Sequence, residues 1–344
     1  ESLIFSSLDW IKFTNEKKEE VLMNYRLAYL SKSMVNWCPD LGTVLANDEV
    51  KEGLSERGGY PVIQKSMMQW SLRISAYSQR LLDGLEKVDY SLSLKEQQRN
   101  WIGKSEGALV KYNNYNTNLN VDVFTTRPDT IFGVSFLTLA PELDIISEIV
   151  SEENKEEVNK YIENTAKKSE RERQANQGLP TGVFTGAYAI HPFSGDNIPI
   201  WISEYVLSGY GTGAVMAVPA GDQRDHDFAK KFNINIPAIF KNKETTVEAY
   251  IEKDVTYINS SFVNGKEFKK ATELILMALE DKQQGIRKTN YRLRDAIFSR
   301  QRYWGEPFPV YYENNTPKII EEELVTLPRI DQYLPTPEGS PPLG

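Results

Sequence analysis

The chain has 344 residues, enough for two or three domains rather than one core. A formal net charge of -8 argues against a generic polyanion binder, and a single cysteine, Cys38, excludes an internal disulfide and any multi-cysteine zinc site. No apolar run approaches the ~20 residues that span a bilayer, so the expectation is a protein of a reducing cytoplasm with no membrane partner.

The opening residues, ESLIFSSLDW, carry no basic leader and no initiating Met, which suggests an excerpt of a longer chain. Glu16–Tyr29 reads as a helix, with Val21, Leu22, Tyr25 and Leu27 among Lys and Glu. Met34–Cys38 reads as a short strand stopped by Pro39, and Thr43–Val50 as another short apolar stretch. SKSM (Ser31–Met34) resembles a nucleotide-binding lysine-serine loop, but it lacks the preceding Lys-Met and reads as chance. Met68–Val88 predicts a helix, because Trp70, Ile74, Tyr77, Leu81 and Leu85 recur at helical spacing. The Gly-flanked Trp101–Gly107 and the polar run Tyr112–Asn120 mark a domain boundary.

From Ala108 to about Arg287 short β-type runs dominate: Ala108–Tyr112, Val121–Thr126, Gly133–Leu139, Val183–Ile190, Ile198–Ile202, Ala214–Val218, Ala238–Phe240 and Thr256–Ile258. Helical segments at Leu143–Thr165, Asp225–Phe232 and Ala271–Lys282 interrupt them. Many short strands with Gly/Pro turns indicate a barrel or sandwich with added helices. Arg287–Arg302 holds six basic residues and one acid, a strip that suits either a phosphate backbone or a solvated face. The tail, TPEGSPPLG, is too rich in Pro and Gly for regular structure.

Three stretches carry candidate chemistry. Val121–Thr130 runs as a strand and breaks at Arg127-Pro128, crowding Thr125, Thr126, Thr130, Arg127 and Asp129 at a strand end. Gly209–Ala214 is Gly-rich but lacks the Lys-Ser/Thr of a P-loop, so it reads as backbone lining a pocket. Asp222–Asp227 is dense in carboxylates. Asp222, Asp225 and His226 suit a metal, Asp222 and Asp225 suit an ammonium group, and simple N-capping accounts for them equally well. The other histidine, His191, lies in a Gly/Pro-rich loop before Pro192 and reads as structural.

Taken in order, FTTRPDT (Phe124–Thr130), YGTGAVMAVP (Tyr210–Pro219) and DQRD (Asp222–Asp225) resemble the editing domain of bacterial-type leucyl-tRNA synthetases. VNWCP (Val35–Pro39), TVLAN (Thr43–Asn47), WIGKSEGA (Trp101–Ala108) and SRQRYWGEPFP (Ser299–Pro309) are similar to the flanks of that domain, so the resemblance covers almost the whole chain. Isoleucyl and valyl enzymes typically show Thr-Thr-Thr-Pro-Trp-Thr where this chain has Thr-Thr-Arg-Pro-Asp-Thr, so Arg127 and Asp129 favour the leucyl enzyme.

The resemblance implies an α/β chain: a β-barrel-like editing domain with surrounding helices, flanked by partial segments of a split class I Rossmann core. Its divisions fall at residues 1–104 (connective pieces with a zinc-less, ribbon-like region), 105–290 (editing domain) and 291–344 (return to the core). It implies hydrolysis of tRNA(Leu) mischarged with norvaline, isoleucine or methionine, by a monomeric cytoplasmic enzyme bound to the tRNA 3′ end.

The same resemblance assigns catalytic or discriminating roles to Thr125, Thr126, Thr130, Asp222 and Asp225, with Thr130 rejecting leucine and Asp225 binding the substrate ammonium. Arg127, Tyr210, Gly211, Thr212, Gly213, Val215 and Met216 would bind substrate, Arg127 at the terminal nucleotides. No metal or cofactor is implied for editing; ATP and Mg belong to the parent synthetase, whose His-Ile-Gly-His-type and Lys-Met-Ser-Lys-Ser motifs are absent here. Gly221 stands where the family often has His, which puts an imidazole contribution there in doubt. The alternatives are a metal-dependent hydrolase using Asp222, Asp225 and His226, and a non-catalytic RNA-binding module.

Overall fold

A computed structural model describes residues 5–115, 117, 119–166, 173, 180–208, 211–299, 301–303, 309–313, 316–321, 326–336, 339 and 342. The chain divides into two compact units, Glu1–Lys87 with Leu293–Gly344, and Val88–Arg292.

In the first unit two long strands, Ala28–Cys38 and Ile63–Leu72, pair antiparallel from Ala28↔Leu72 to Trp37↔Ile63. Val35, Trp37, Val44 and Met67 form its small core. The helix expected over Glu16–Tyr29 is confined to Asn15–Met23, since Ala28 already begins a strand. The stretch expected as a helix over Met68–Val88 is helical only in its later part. Its first part belongs to the strand Ile63–Leu72, where Met67, Gln69 and Ser71 are buried in alternation. A 3-10 turn, Ile74–Tyr77, and a short helix, Ser78–Gly84, follow. Apolar residues at helical spacing thus straddle three elements, and pairing with a distant strand overrode the local pattern.

The second unit begins with helix α1 (Leu92–Ile102), which sequence reading missed. Ser91 caps it by accepting from the Leu94 N–H, and Gly103 ends it at φ 61, where an added Cβ would also lie 2.6 Å from the Arg292 Cβ. Then come strands β1 (Lys104–Asn114), β2 (Asn120–Thr125) and β3 (Phe136–Leu139), and helices α2 (Ile146–Ile149) and α3 (Lys155–Thr165). Strands β4 (Val183–Ile190), β5 (Asn197–Ile202) and β6 (Ala214–Ala217) precede helices α4 (Gln223–Lys231) and α5 (Phe268–Asp281). Strand β7 (Gly285–Tyr291) completes the unit.

The seven strands form one sheet in the order β6-β3-β5-β4-β1-β7, with β2 pairing on β1; only β3 and β5 run parallel. Among the described residues no ladder joins β6 to β2, so the sheet is open and not the closed barrel that the strand count suggested. The stretches Ala238–Phe240 and Thr256–Ile258, expected as strands, form no ladder: one isolated bridge, Phe240↔Tyr257, joins them, and another links Thr256 to Glu267.

Burial follows the pleat. Ala108, Val110 and Tyr112 of β1 and Val183, Ala187 and Ala189 of β4 enter the main core. Central strand β3 is buried on both faces. Leu137 and Leu139 join the main core, while Phe136 stacks on Phe228 of α4 at 4.8 Å. Helix α5 closes the main core with Ala271, Ile275, Leu276 and Leu279, spaced to share one helix face. This sheet holds the ends of β2 and β6 and the start of α4, where the candidate residues lie.

Candidate active site

Strand β2 delivers the threonines. Thr125 pairs with Ala108 of β1, and the neighbouring Gly107 lets the end of β2 lie hard against that strand. A Cβ at Gly107 would stand 2.0 Å from the Thr125 carbonyl oxygen and 3.0 Å from the Thr126 Cα. Both obstacles are backbone, so the two strands must part. Gly107→Ala should cost roughly 1–3 kcal/mol through this overlap, read as a lower thermal midpoint, and should displace Thr125 and Thr126. An unchanged midpoint would show that the strand end yields freely.

Past β2 the chain turns tightly. The Thr125 Oγ1 accepts the Arg127 N–H at 3.0 Å, a local turn of the kind short hydroxyl side chains favour. Thr126 is exposed. A 3-10 turn, Pro128–Gly133, follows with proline at its start.

Asp129 is buried in this turn, and its carboxylate accepts from the Arg127 guanidinium at 2.9 and 3.0 Å and from the Tyr257 hydroxyl. Burial, then the charge of Asp129, raises the Tyr257 hydroxyl above its ordinary range, so it serves as a donor. The Arg127 guanidinium also lies 5.4 Å from the centre of the Phe268 ring. Arg127 thus braces the buried Asp129.

Thr130 is 2% exposed, and both its N–H and its hydroxyl donate to the Arg127 carbonyl, at 3.1 and 2.9 Å. With the hydroxyl turned onto backbone, the methyl is the part of this buried side chain left for packing. Its carbon stands 3.8 Å from where a side chain at Gly221 would begin. The Thr-rich turn therefore meets the start of the DQRD stretch at Gly221. A Cβ there would make only ordinary contacts, with Phe240 at 3.6 Å and Val218 at 3.7 Å as well.

The DQRD stretch opens helix α4. The Asp222 Oδ1 accepts the N–H groups of Arg224 at 2.9 Å and Asp225 at 3.3 Å, so Asp222 is the N-cap. Asp225 points inward and is 4% exposed. Its Oδ2 accepts the Val218 N–H at 2.9 Å and its Oδ1 the Tyr205 hydroxyl at 3.0 Å; that hydroxyl also lies 3.3 Å from the Thr138 Oγ1. Burial, and then the charge of Asp222, push the Asp225 carboxyl up to about 7. The two donors oppose that rise without cancelling it. A carboxyl so placed gains from any cation brought to it.

The Gly-rich loop leads into β6. Gly211 and Gly213 both have positive φ, 67 and 70, which fits the reading of close-packed backbone. A Cβ at Gly211 would lie 3.6 Å from that of Phe124 on β2, so the loop and the threonine strand are neighbours. The Thr212 hydroxyl donates to the Ala214 carbonyl at 3.4 Å, and Val215 is half-buried. Met216 packs into the main core, its sulfur 3.6 Å from the Tyr112 hydroxyl. Tyr210 lies outside the described residues, as do Arg300 and 304–308 of the SRQRYWGEPFP stretch.

His226, the third member of the metal alternative, is 1% exposed, and its Nδ1 stands 3.9 Å from Asp227 rather than beside Asp222 or Asp225. Among the described residues no three His, Cys, Asp or Glu side chains are grouped to hold a metal ion.

Tyr205, Tyr257 and Gly107 escaped sequence reading. Each acts through a contact far along the chain; the WIGKSEGA resemblance was the only local hint, and it pointed at Gly107 without its reason.

The family model described as "Leucyl-tRNA synthetase, editing domain" matches residues 99–280. The leucine--tRNA ligase of Christiangramia forsetii is 59% identical over 99% of this chain, which covers 36% of that protein. The leucine--tRNA ligase of Flavobacterium johnsoniae is 57% identical over 99% of this chain, which covers 37% of it. Among solved structures, the ternary complex of Agrobacterium radiobacter K84 agnB2 LeuRS-tRNA-LeuAMS is similar with a TM-score of 0.71 and 33% identity. That likeness covers 89% of this chain and 36% of the other. The chain thus spans little more than a third of the length of the relatives it matches.

Proposed function

The chain belongs to the leucyl-tRNA synthetases as their editing region, and from that premise we propose that it hydrolyses the ester of tRNA(Leu) carrying a wrong amino acid. Norvaline, isoleucine and methionine are the substrates proposed, because a binding pocket separates aliphatic side chains by only ~1–3 kcal/mol per methylene and a second, hydrolytic sieve is needed. The observation that carries the proposal is Thr130, held by two bonds to the Arg127 carbonyl with its methyl at Gly221, beside the start of α4.

In this reading the Thr130 methyl collides with the branched end of leucine and spares side chains of other shape. Asp225 receives the substrate ammonium, Asp222 holds the helix start that presents it, and Thr125 and Thr126 bond the ester oxygens or the attacking water. Backbone of Gly211–Met216 lines the ribose and acyl pocket. A positioned water attacks the ester directly, giving free amino acid and intact tRNA. Arg127 fixes Asp129 under the turn and contacts the terminal nucleotides of the tRNA.

The proposal extends to the architecture: residues 1–104 and 291–344 as connective pieces around a split class I Rossmann core, and 105–290 as the editing domain. It extends also to a cytoplasmic monomer acting on the tRNA 3′ end. Editing itself uses no cofactor; ATP and Mg serve leucine ligation in the parent enzyme.

A two-way assay of Ile-tRNA and Leu-tRNA hydrolysis, with and without chelator, tests the reading. Ile-tRNA should be cleaved, Leu-tRNA spared, and chelator should change neither. Chelator-sensitive cleavage would favour the metal-dependent hydrolase, and tRNA binding without cleavage the RNA-binding module.

A further inference from the structure

We propose that His191 is a positioning residue for leucine exclusion, fixing the Ile131 carbonyl and through it the turn on which Thr130 stands; this rests on the reading of Thr130 above. The imidazole is 4% exposed, and its Nε2 lies 2.9 Å from the Ile131 carbonyl oxygen. The other ring nitrogen, Nδ1, accepts the N–H groups of Phe193 at 3.2 Å and Ser194 at 3.1 Å. Two donors aimed at Nδ1 require its lone pair, so the ring proton sits on Nε2 and is donated to Ile131. Burial lowers the pKa of this imidazole, against the opposing pull of the Ile131 carbonyl and, less, of Asp196.

The base of this contact is rigid. The His191 N–H donates to the Asp196 carbonyl at 2.9 Å, and the Gly195 N–H to the His191 carbonyl at 3.0 Å, closing the link between β4 and β5. The ring packs on Phe132, centroids 5.7 Å apart. Bonds from Thr130 to the Arg127 carbonyl hold the turn from the upstream side. On the downstream side the Ile131 carbonyl, one residue past Thr130, accepts from the Val134 N–H of the turn itself at 3.2 Å and from His191, its tie to the link between β4 and β5. Without that tie the turn can shift, and steric exclusion fails over displacements of an ångström or so. His191 makes no bond to Asp225, so ester binding is left in place.

The test uses the full-length protein carrying this sequence, with His191→Leu, His191→Phe, His191→Gln and Thr130→Ala. His191→Leu and His191→Phe remove the donor, and Phe keeps a ring against Phe132. Gln keeps an N–H able to reach Ile131. Leu-tRNA hydrolysis should rise about tenfold or more in His191→Leu and His191→Phe, while kcat on Ile-tRNA stays within about threefold and His191→Gln remains near the parent. A merely structural role predicts lower activity on both substrates with their ratio unchanged, and that result overturns the inference. If His191→Leu fails to fold by circular dichroism, His191→Phe decides. Thr130→Ala separates the two levels. If it leaves Leu-tRNA intact, the reading of Thr130 fails; if it cleaves Leu-tRNA while the folded His191 variant spares it, only the role of His191 falls.

Discussion

Thr130→Ala is expected to make correctly charged Leu-tRNA a substrate, raising its hydrolysis roughly 10–100-fold, the range that a few methyl contacts discriminate. The substitution removes the Thr130 methyl, the group that stands 3.8 Å from a Cβ position at Gly221, and so clears the space that leucine would enter. It also removes the hydroxyl bond to the Arg127 carbonyl. The turn should survive, because the Thr130 N–H still donates to that carbonyl and Asp129 stays clamped by Arg127 and Tyr257. Ile-tRNA hydrolysis should therefore continue at a similar rate. Thr130→Val supplies the control: it keeps a methyl at the same place and loses only the hydroxyl, so it should still spare Leu-tRNA. If Leu-tRNA persists unchanged with Thr130→Ala, leucine is excluded by some other group.

What the sequence disclosed about this site follows from how local the signals are. The strand of Val121–Thr126 and its break at Arg127-Pro128 rest on residues a few positions apart and were legible, while the N-cap at Asp222 was one of three readings those carboxylates left open. Arg127 and Asp129 were legible as residues that mark the family, but not as a pair, because the third member, Tyr257, is remote in sequence and carries no motif. Tyr205 was invisible for the same reason: its hydroxyl matters only once α4 packs on β3 and brings Asp225 to it. His191 was read as structural from its Gly/Pro-rich loop; the Ile131 carbonyl it holds lies far back along the chain and could not be guessed. The misread Met68–Val88 helix shows the opposite failure. There an apolar rhythm was present, but pairing with Ala28–Cys38 decided the structure of its first residues.

Asp225→Asn is expected to do two opposite things, and together they isolate the charge of this carboxyl. Asparagine keeps the shape and an oxygen for the Val218 N–H, but it has no negative charge for a substrate ammonium. Loss of one partner from a buried charge pair should lower deacylation roughly 10²–10³-fold.

Stability should move the other way as pH rises above 3.8. The folded-state pKa of Asp225 is raised, from 3.8 to about 7, so the folded chain holds a proton that the unfolded chain has released. Its contribution to stability is therefore fully present below pH 3.8 and is lost as pH rises toward about 7. By pH 8 the loss is on the order of 4 kcal/mol, which Asn avoids. Thermal midpoints of the parent and Asp225→Asn should thus lie close together near pH 4 and separate up to about pH 7, with the variant higher, then run parallel. In the parent, kcat/KM for Ile-tRNA should rise through the same window as Asp225 ionises, until the α-amino group of the ester begins to lose its own proton near pH ~8. Retained deacylation in Asp225→Asn would remove the ammonium contact from the mechanism. A gap between the midpoints that widened toward acid instead would show that Asp225 is charged, and held so, at low pH.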